Sequence, residues 1–199
     1  APYNRLEFWK DRSIEWKTEK LKELLPDIFQ RRTKKSTLPK VLPKLTTKNI
    51  PVSLPKKSRQ MDTYESFMED EEILRRILRM RQSANTHTQL LKDSSNPESD
   101  PTSAVKVKKL TELLATLPPG DKVLVFSQFT GFLAHLNGLF PGNCFYHGGL
   151  SAEEKEDTLT AFKSLPDHRI LFINLRAGGC GLNLVEANHV ILLEPYWNE

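Results

Sequence analysis

Four short apolar runs in the C-terminal half of the chain alternate with segments of helical periodicity, and this alternation limits the possible folds most strongly. The runs occupy residues 123–126, 144–146, 170–173 and 190–193. The segments between them are long enough for crossovers between parallel strands. Strands that are apolar at every position are typical of sheets buried on both faces. The pattern predicts an α/β fold in which helices flank a parallel sheet.

The segments around these runs carry helix signals. Helical spacing of apolar side chains is found in residues 103–117, 129–140 and 151–162. Ser103 is placed to cap the first of these helices. Ser151 and Glu154 have the spacing of a capping box, in which each side chain accepts a hydrogen bond from the other residue's backbone N–H.

The N-terminal half predicts short helices and one extended segment. Helices are predicted over residues 13–29, 56–68 and 71–91. In the last of these, Glu72 and Arg76 have the i, i+4 spacing of an ion pair. Prolines recur through residues 39–55 and break helical structure, and residues 49–54 are predicted as a short edge strand, where proline is tolerated. The polar residues 92–102 predict a loop.

A block of positive charge lies in the extended segment. The formal net charge is +4, but residues 31–59 carry ten basic side chains and no acidic one. The other 170 residues carry 19 basic and 25 acidic side chains. Such a block is expected to attract phosphate backbones, because each neutralised phosphate releases counterions. Composition alone equally allows a solvated linker.

Composition argues against several classes of protein. No run of about 18 apolar residues occurs, so a membrane span is excluded, and the polar first residues lack the apolar core of a signal peptide. We therefore expect an intracellular protein that is not secreted. Cys144 and Cys180 lack the spacing of a metal site and are predicted as buried, reduced thiols.

Functional groups in a parallel sheet are expected where the strands end, and three polar or glycine-rich loops follow the apolar runs. The loops contain Ser127 and Gln128, then Gly148 and Gly149, then Asn174, Arg176, Gly178, Gly179 and Gly181. Glycine lets backbone N–H groups approach anionic oxygens closely, and an arginine adds a fork of donors. Hydroxyl and amide side chains suit the positioning of a phosphodiester. The loops therefore predict phosphate recognition.

The glycine loops also fit roles that do not involve DNA. Gly148 and Gly149 fit a tight turn before a helix. Gly179-x-Gly181 follows a strand, as in dinucleotide-binding proteins and methyltransferases, so an enzyme that binds a nucleotide or a methyl donor is a competing hypothesis. Such a loop opens a full helix, whereas residues 182–189 leave room for only a turn or two before the next strand.

Taken in order, these segments resemble the C-terminal, RecA-like ATPase lobe of Swi/Snf-type chromatin-remodelling enzymes in helicase superfamily two. The resemblance rests on Arg-Arg-Thr-Lys at 31–34, Leu-Arg-Met-Arg-Gln at 78–82, Lys-Val-Leu-Val-Phe-Ser-Gln-Phe-Thr at 122–130, the glycine-rich stretch at 170–184 and Tyr-Trp-Asn at 196–198. The second of these stretches favours the branch of the helicase-like transcription factor and DNA-repair enzymes, or a viral global transactivator.

The resemblance implies a division of the chain. Residues 1–30 would be the end of a first ATPase lobe, 31–102 a basic linker with a helical protrusion, and 103–199 the helicase C-terminal lobe, ending before the arginine-finger motif. The fold is then a RecA-like parallel sheet preceded by a helical and extended basic arm.

The resemblance also implies a function and its residues. It implies a nuclear, DNA-stimulated ATPase that translocates on duplex DNA or chromatin and acts in transcription regulation or DNA repair. The implied DNA contacts are Ser127, Gln128, Gly148, Gly149, Asn174 and Arg176, and the charge block adds Arg31, Arg32, Lys34 and Lys35. The implied nucleotide contacts are Gly178, Gly179, Gly181 and Asn183.

Some positions depart from the family's pattern, and two motifs are absent. Lys155 stands where the family usually has arginine, and Glu199 where it has proline. The 199 residues contain no Gly-x-x-x-x-Gly-Lys-Ser/Thr loop and no Asp-Glu-x-His, the motifs that hold ATP phosphates and magnesium. We therefore expect that ATP with Mg²⁺ is used only in a complete two-lobe enzyme, with the first lobe supplied in cis or in trans. The alternative is a non-catalytic module that binds DNA or protein.

Overall fold

In the part of the chain that the structure describes, four parallel strands form one sheet. In the computed structural model, which describes residues 6–24, 45–86, 104–178 and 181–195, the strands are β1 (Lys122–Ser127), β2 (Cys144–Tyr146), β3 (Ile170–Asn174) and β4 (Ala187–Leu192). Their order across the sheet is β2-β3-β1-β4. All three pairings are parallel. The predicted parallel α/β sheet is confirmed, and its strands lie within three residues of the predicted bounds.

The described residues form helices before the first strand and between the strands. They are α1 (Leu6–Trp9), α2 (Ile14–Leu24), α3 (Arg59–Ser66), α4 (Ile73–Asn85), α5 (Val105–Thr116), α6 (Thr130–Leu139), α7 (Ala152–Ser164) and the single turn α8 (Leu175–Gly178). The chain divides into two compact units, Ala1–Asn49 and Ile50–Glu199. None of the helices in the described residues has the length and apolarity needed to span a bilayer.

Two apolar cores hold helices against opposite faces of the sheet. The first core, which includes α5 and α6, contains Val107, Leu110, Val123, Val125, Phe132, Leu133, Leu136, Ile170 and Phe172. The second, which includes α7, contains Leu124, Cys144, Tyr146, Phe162, Leu171 and Ile173. Alternate residues of β1 thus belong to different cores, as the two-residue period of a strand requires. Replacing one of the fully buried phenylalanines by alanine would cost about 3–5 kcal/mol.

Both ends of α7 are capped by side chains. The Ser151 hydroxyl accepts a hydrogen bond from the Glu154 N–H (3.1 Å), and the Glu154 carboxylate accepts one from the Ser151 N–H (2.7 Å), so the predicted capping box is confirmed. At the other end, the Lys122 ammonium donates to the carbonyl oxygens of Leu165 (2.8 Å), His168 (3.3 Å) and Phe162. A cation at this end also complements the helix dipole.

The buried cysteine, Cys144, has an unreactive thiol. Cys144 is free, and burial raises the pKa of its thiol, against a smaller opposite effect of the Lys122 ammonium. The thiol therefore stays protonated and packs as a small apolar group. This confirms the prediction for Cys144, whereas Cys180 lies outside the described residues.

Several local predictions are wrong. Residues 49–54 form no strand. Ala104, not Ser103, occupies the N-cap position of α5 and makes no side-chain cap bond. Glu72 pairs with Arg75 (3.6 Å) instead of Arg76, whose guanidinium donates to the Met68 carbonyl. Only for Glu72 does a neighbouring residue at a different spacing, Arg75, meet the predicted charge requirement.

Burial differs from expectation in two elements. The outward side chains of β4 are exposed, including Val190 (60%) and Leu192 (63%), because β4 is the edge strand and no described helix covers this face there. In α4 the apolar stripe containing Leu74 (72% exposed) faces outward, while Ser83 and Asn85 near its C-terminal end are buried. The polar end of α4, and not its apolar stripe, is therefore the part that is buried.

In the N-terminal unit, the described residues 6–24 form two short helices and a cluster of aromatic rings. The ring centroids of Phe8, Trp9 and Trp16 lie 5.5–6.1 Å from one another. Ser13 caps α2, since its hydroxyl accepts a hydrogen bond from the Trp16 N–H (3.1 Å), so the predicted helix start is confirmed. The predicted continuation of this helix to residue 29 lies outside the described residues.

Candidate functional site

Three of the predicted loops meet at one edge of the sheet. The order β2-β3-β1 makes the carboxyl ends of these strands neighbours, and Ser127 at the end of β1 is directly paired with Asn174 at the end of β3. Neighbouring strands lie about 4.8 Å apart, so the three ends fall within about 10 Å. We call the residues that follow these ends, 127–130, 147–149 and 174–176, the strand-end rim.

Asn174 holds two loops of the rim together. Its side-chain nitrogen donates hydrogen bonds to the Gln128 carbonyl (3.1 Å) and the Thr130 hydroxyl (2.9 Å). Its side-chain oxygen accepts one from the Arg176 N–H (3.0 Å). Only 6% of Asn174 is exposed. In this structure Asn174 therefore fixes the position of its neighbours, and its amide is fully engaged within the protein.

Arg176 presents a free charge at the rim. Its backbone is anchored by Asn174, while its side chain is exposed. Within the described residues its guanidinium has no hydrogen bond or ion pair, so its five donors are available to an external group. A guanidinium of this kind suits phosphate or carboxylate oxygens.

Ser127 and Gln128 occupy different environments. The Ser127 side chain is fully buried; its hydroxyl donates to Glu194 (2.9 Å) and accepts from the Phe129 N–H (3.0 Å). Gln128 is partly exposed, and its side-chain nitrogen is buried without an acceptor among the described residues. Of the pair, only Gln128 therefore has a side chain with unused hydrogen-bonding capacity.

The second loop is an exposed glycine pair. Gly148 and Gly149 are exposed, and the Gly149 N–H donates to the His147 ring (Nδ1, 3.1 Å). A Cβ at Gly149 would lie 3.1 Å from the same ring atom, whereas one at Gly148 would meet nothing within 4 Å. The following helix begins with the carboxylate of Glu154, whose pKa is lowered by the hydrogen bond from the Ser151 N–H. The helix start is thus occupied by the protein's own anion, and the open backbone is at the glycines.

A buried polar network, which the sequence did not predict, supports the loops of the rim. Glu194, two residues after β4, is 4% exposed and accepts hydrogen bonds from the Asn85 amide (2.6 Å), the Ser127 hydroxyl (2.9 Å) and the Gln128 N–H (3.2 Å). The Lys106 ammonium donates to the Asn85 amide oxygen (2.6 Å) and the Leu193 carbonyl (2.9 Å).

The sequence offered one signal for this network: an acidic residue directly after an apolar strand. A carboxylate at that position must either face water or find buried donors. Nothing in the local pattern indicates that Asn85 is its partner, because the two residues are 109 positions apart.

The third loop contains one glycine that close packing requires, Gly178, and one with a positive φ, Gly181. A Cβ on Gly178 would lie 2.4 Å from the Ile173 side chain, so this glycine is required by packing. Gly181 has a φ of +84°, a conformation that glycine adopts without strain, and its position is open. Asn183 is exposed beyond it. Gly179 and the basic residues Arg31, Arg32, Lys34 and Lys35 lie outside the described residues.

Comparisons with known proteins agree with this architecture. Residues 105–199 match the family model for the helicase conserved C-terminal domain. An ATP-dependent helicase of Schizosaccharomyces pombe is 36% identical over 161 residues, which cover 78% of this chain. The DNA repair protein rad8 of the same yeast is 39% identical over 82 residues, or 39% of this chain.

A solved structure gives the same result in three dimensions. The Sulfolobus solfataricus SWI2/SNF2 ATPase core in complex with dsDNA is similar over 90% of this chain and 42% of its own, with a TM-score of 0.59 and 25% identity. Residues 105–199 form a helicase C-terminal lobe of the Swi/Snf type. The predicted family and the RecA-like fold are both confirmed.

The Swi/Snf-type lobe is a small part of its curated relatives. The matched segments make up 13% of the S. pombe helicase and 7% of rad8. In the described part of the chain, no group of three or more His, Cys, Asp or Glu side chains could hold a metal ion.

Proposed function

We propose that this chain supplies the second lobe of an ATP-dependent duplex-DNA translocase of the remodeller type, and that the strand-end rim holds the DNA backbone. The observation that carries this proposal is the exposed Arg176, fixed through its backbone by Asn174 and free of partners among the described residues. Phosphates are bound in proteins by arginine, amide side chains and exposed backbone N–H groups. The rim offers all three within one edge of the sheet.

The partly exposed Gln128 and the glycine pair extend this surface. The Gln128 side-chain nitrogen is a donor without an acceptor among the described residues, which is energetically unfavourable when buried. A small side-chain rotation would direct it to a phosphate oxygen, with Asn174 and Ser127 holding the loop in place. Gly148 and Gly149 leave room for a backbone to approach. That the Sulfolobus core was solved with dsDNA supports this assignment.

The basic residues Arg31, Arg32, Lys34 and Lys35 add a second, less specific contact to DNA in the proposal. Ten basic side chains without an acidic one in residues 31–59 give a strong local field. Such a field would bind duplex DNA or chromatin with a steep salt dependence. We place this activity in the nucleus, since the relatives include a yeast DNA repair protein.

In the same proposal, the glycine loop faces a nucleotide. Gly178, Gly179, Gly181 and Asn183 would line one wall of a cleft whose other wall is the first ATPase lobe, supplied in cis or in trans. ATP with Mg²⁺ is then used only by the two-lobe enzyme, because the residues present lack the phosphate-binding loop. Gly181, with its positive φ and open surroundings, suits a backbone contact better than Gly178, which packs against Ile173.

A second candidate is a non-catalytic module that binds DNA or protein. The absence of the Gly-x-x-x-x-Gly-Lys-Ser/Thr loop from the 199 residues favours it. The two candidates share the rim and differ in whether a first lobe restores ATP hydrolysis.

Replacing Arg176 by glutamine tests the rim directly. Binding of a 20-base-pair duplex is measured by fluorescence anisotropy over a range of salt concentrations. We expect Arg176→Gln to weaken binding and to reduce the slope of log K against log salt by about 1, because one phosphate is no longer neutralised.

The matched control is Lys163→Gln, which removes the same charge from the last turn of α7, at the opposite edge of the sheet. It should change the salt slope much less. Equal effects of the two replacements would show that DNA responds only to net charge, and the assignment of the rim would then be wrong.

A further inference from the structure

We propose that Glu194 is a positioning residue for the strand-end rim, and that it couples the rim to the packing of α4. This inference rests on the proposed DNA-binding function of the rim. It concerns a residue that lies behind the rim surface and contacts no ligand itself, since it is 4% exposed.

The carboxylate of Glu194 fixes the start of the loop after β1. One of its oxygens (Oε1) accepts from the Ser127 hydroxyl, and the other (Oε2) accepts from the Gln128 N–H. Ser127 in turn accepts from the Phe129 N–H, so both backbone donors that follow β1 are tied to this carboxylate directly or through one hydroxyl. The conformation of the loop that carries Gln128 therefore depends on Glu194.

The constraint continues across the rim to Arg176. The Gln128 carbonyl accepts from the Asn174 amide, and the Asn174 amide oxygen accepts from the Arg176 N–H. A shift of Gln128 would weaken the hydrogen bond between its carbonyl and the Asn174 amide, and through Asn174 it would affect Arg176. Glu194 thus acts on the proposed Arg176 contact through the Gln128 backbone and the buried Asn174 side chain.

The same carboxylate reaches helix α4. Asn85, at the C-terminal end of α4, is 1% exposed and donates to Glu194 (2.6 Å). Pro195 directly follows Glu194, and its carbonyl accepts a hydrogen bond from Arg81, which also lies on α4 (2.9 Å). Helix α4 is therefore connected to the residues behind the rim at two consecutive positions, although it belongs to the segment that precedes the lobe.

The chemistry of Glu194 argues for positioning over simple packing. Burying a carboxylate is costly unless several donors satisfy it, and an apolar side chain of similar size would fill the space without that cost. What an apolar residue cannot do is orient three donors from α4, β1 and the following loop at once. Movement of α4 would break the Asn85 contact and leave the carboxylate held by the rim alone.

The test combines amide hydrogen exchange with duplex binding. Glu194→Gln replaces one carboxylate oxygen by an NH₂ group, which donates hydrogen bonds and cannot accept them. The remaining oxygen cannot accept hydrogen bonds from all three donors. We expect the Gln128 and Phe129 amides to exchange roughly tenfold faster, because a charge-assisted hydrogen bond is lost. The Val125 amide, in the centre of the sheet, reports global stability and should not change to the same extent.

Duplex binding by the same full chain should weaken by about tenfold, with a lower salt slope as the Arg176 contact loosens. Asn85→Ala removes the α4 donor to the Glu194 carboxylate, together with an acceptor of Lys106, and serves as a second variant should Glu194→Gln fold poorly. The double variant should bind no worse than Glu194→Gln alone, because both changes interrupt one network.

The control is Asp121→Asn at the opposite edge of the sheet, where another hydrogen-bonded carboxylate contacts the His189 ring (2.7 Å). It should leave duplex binding within about twofold of the unaltered protein. Unchanged exchange at Gln128 in Glu194→Gln would overturn the inference, as would faster exchange with unchanged binding. If the unaltered chain binds no duplex, the proposed function fails, whereas the exchange result still decides whether Glu194 positions the loop.

Discussion

Gly178 is a residue whose identity is tightly constrained by the packing of the lobe. An added Cβ would lie 2.4 Å from the Ile173 side chain and 3.4 Å from the Phe126 ring. Gly178→Ala should therefore lower the free energy of unfolding by about 1–3 kcal/mol, the usual effect of forcing an extra methyl group into a packed site. Urea unfolding followed by circular dichroism measures this change.

Gly138→Ala is the matched control for that prediction. Gly138 lies in α6, and a Cβ there would meet nothing within 4 Å. Alanine should stabilise this helix by up to about 1 kcal/mol, because it has the higher helix propensity. Because the two variants should change the free energy of unfolding in opposite directions, they separate a packing effect from a general effect of replacing glycine. Similar changes in both variants would contradict the close contact with Ile173.

At the scale of elements, Lys106 links α5 to α4 through Asn85 and should give the protein a measurable pH dependence. Burial lowers the pKa of the Lys106 ammonium; attraction by Glu194 opposes this, and repulsion by Arg81 adds to it. The unfolded chain then holds this proton up to the ordinary value of 10.5, while the folded protein releases it earlier. In the interval just below pH 10.5 the unfolded chain therefore binds more protons than the folded protein, and the free energy of unfolding increases as the pH rises.

The variant Lys106→Met removes this contribution. At neutral pH it should be less stable by about 1–3 kcal/mol, because the acceptors of Lys106 and the nearby carboxylate lose a donor and a charge. The difference in stability between the unaltered protein and the variant should grow as the pH approaches 10.5. Lys109→Met, on the same helix beside Glu112, is the control. A constant difference across that interval would argue against the burial of a charged Lys106.

Local patterns predicted the elements of the lobe because their signals are short-range. The Ser151 and Glu154 capping box and the apolar runs depend on residues within a few positions of one another. The environment of Ser127 was not predictable, because its partner Glu194 is 67 positions away. The exposure of the apolar stripe of α4 was not predictable either. Periodicity indicates a helix, but it does not indicate which face the rest of the protein covers.

For the whole molecule, the strand-end rim was predictable and its support was not. Parallel topology alone brings the loops after β1, β2 and β3 to one edge, and this follows from the order of apolar runs. Which side chains in those loops remain free is decided by tertiary hydrogen bonds: Arg176 is exposed, whereas Asn174 and Ser127 are engaged. We therefore propose that the DNA contacts of the rim are made by Arg176, Gln128 and the exposed glycine backbone, while Asn174 and Ser127 hold the loops in place.

ATP turnover by the purified 199-residue chain, with saturating duplex DNA and magnesium, tests the central proposal of a single lobe most directly. A lobe that contributes DNA and nucleotide contacts but no phosphate-binding loop should show no turnover above background, although it binds the duplex. DNA-stimulated hydrolysis by this chain, especially if it survives replacement of Arg176 and Asn183, would contradict the account.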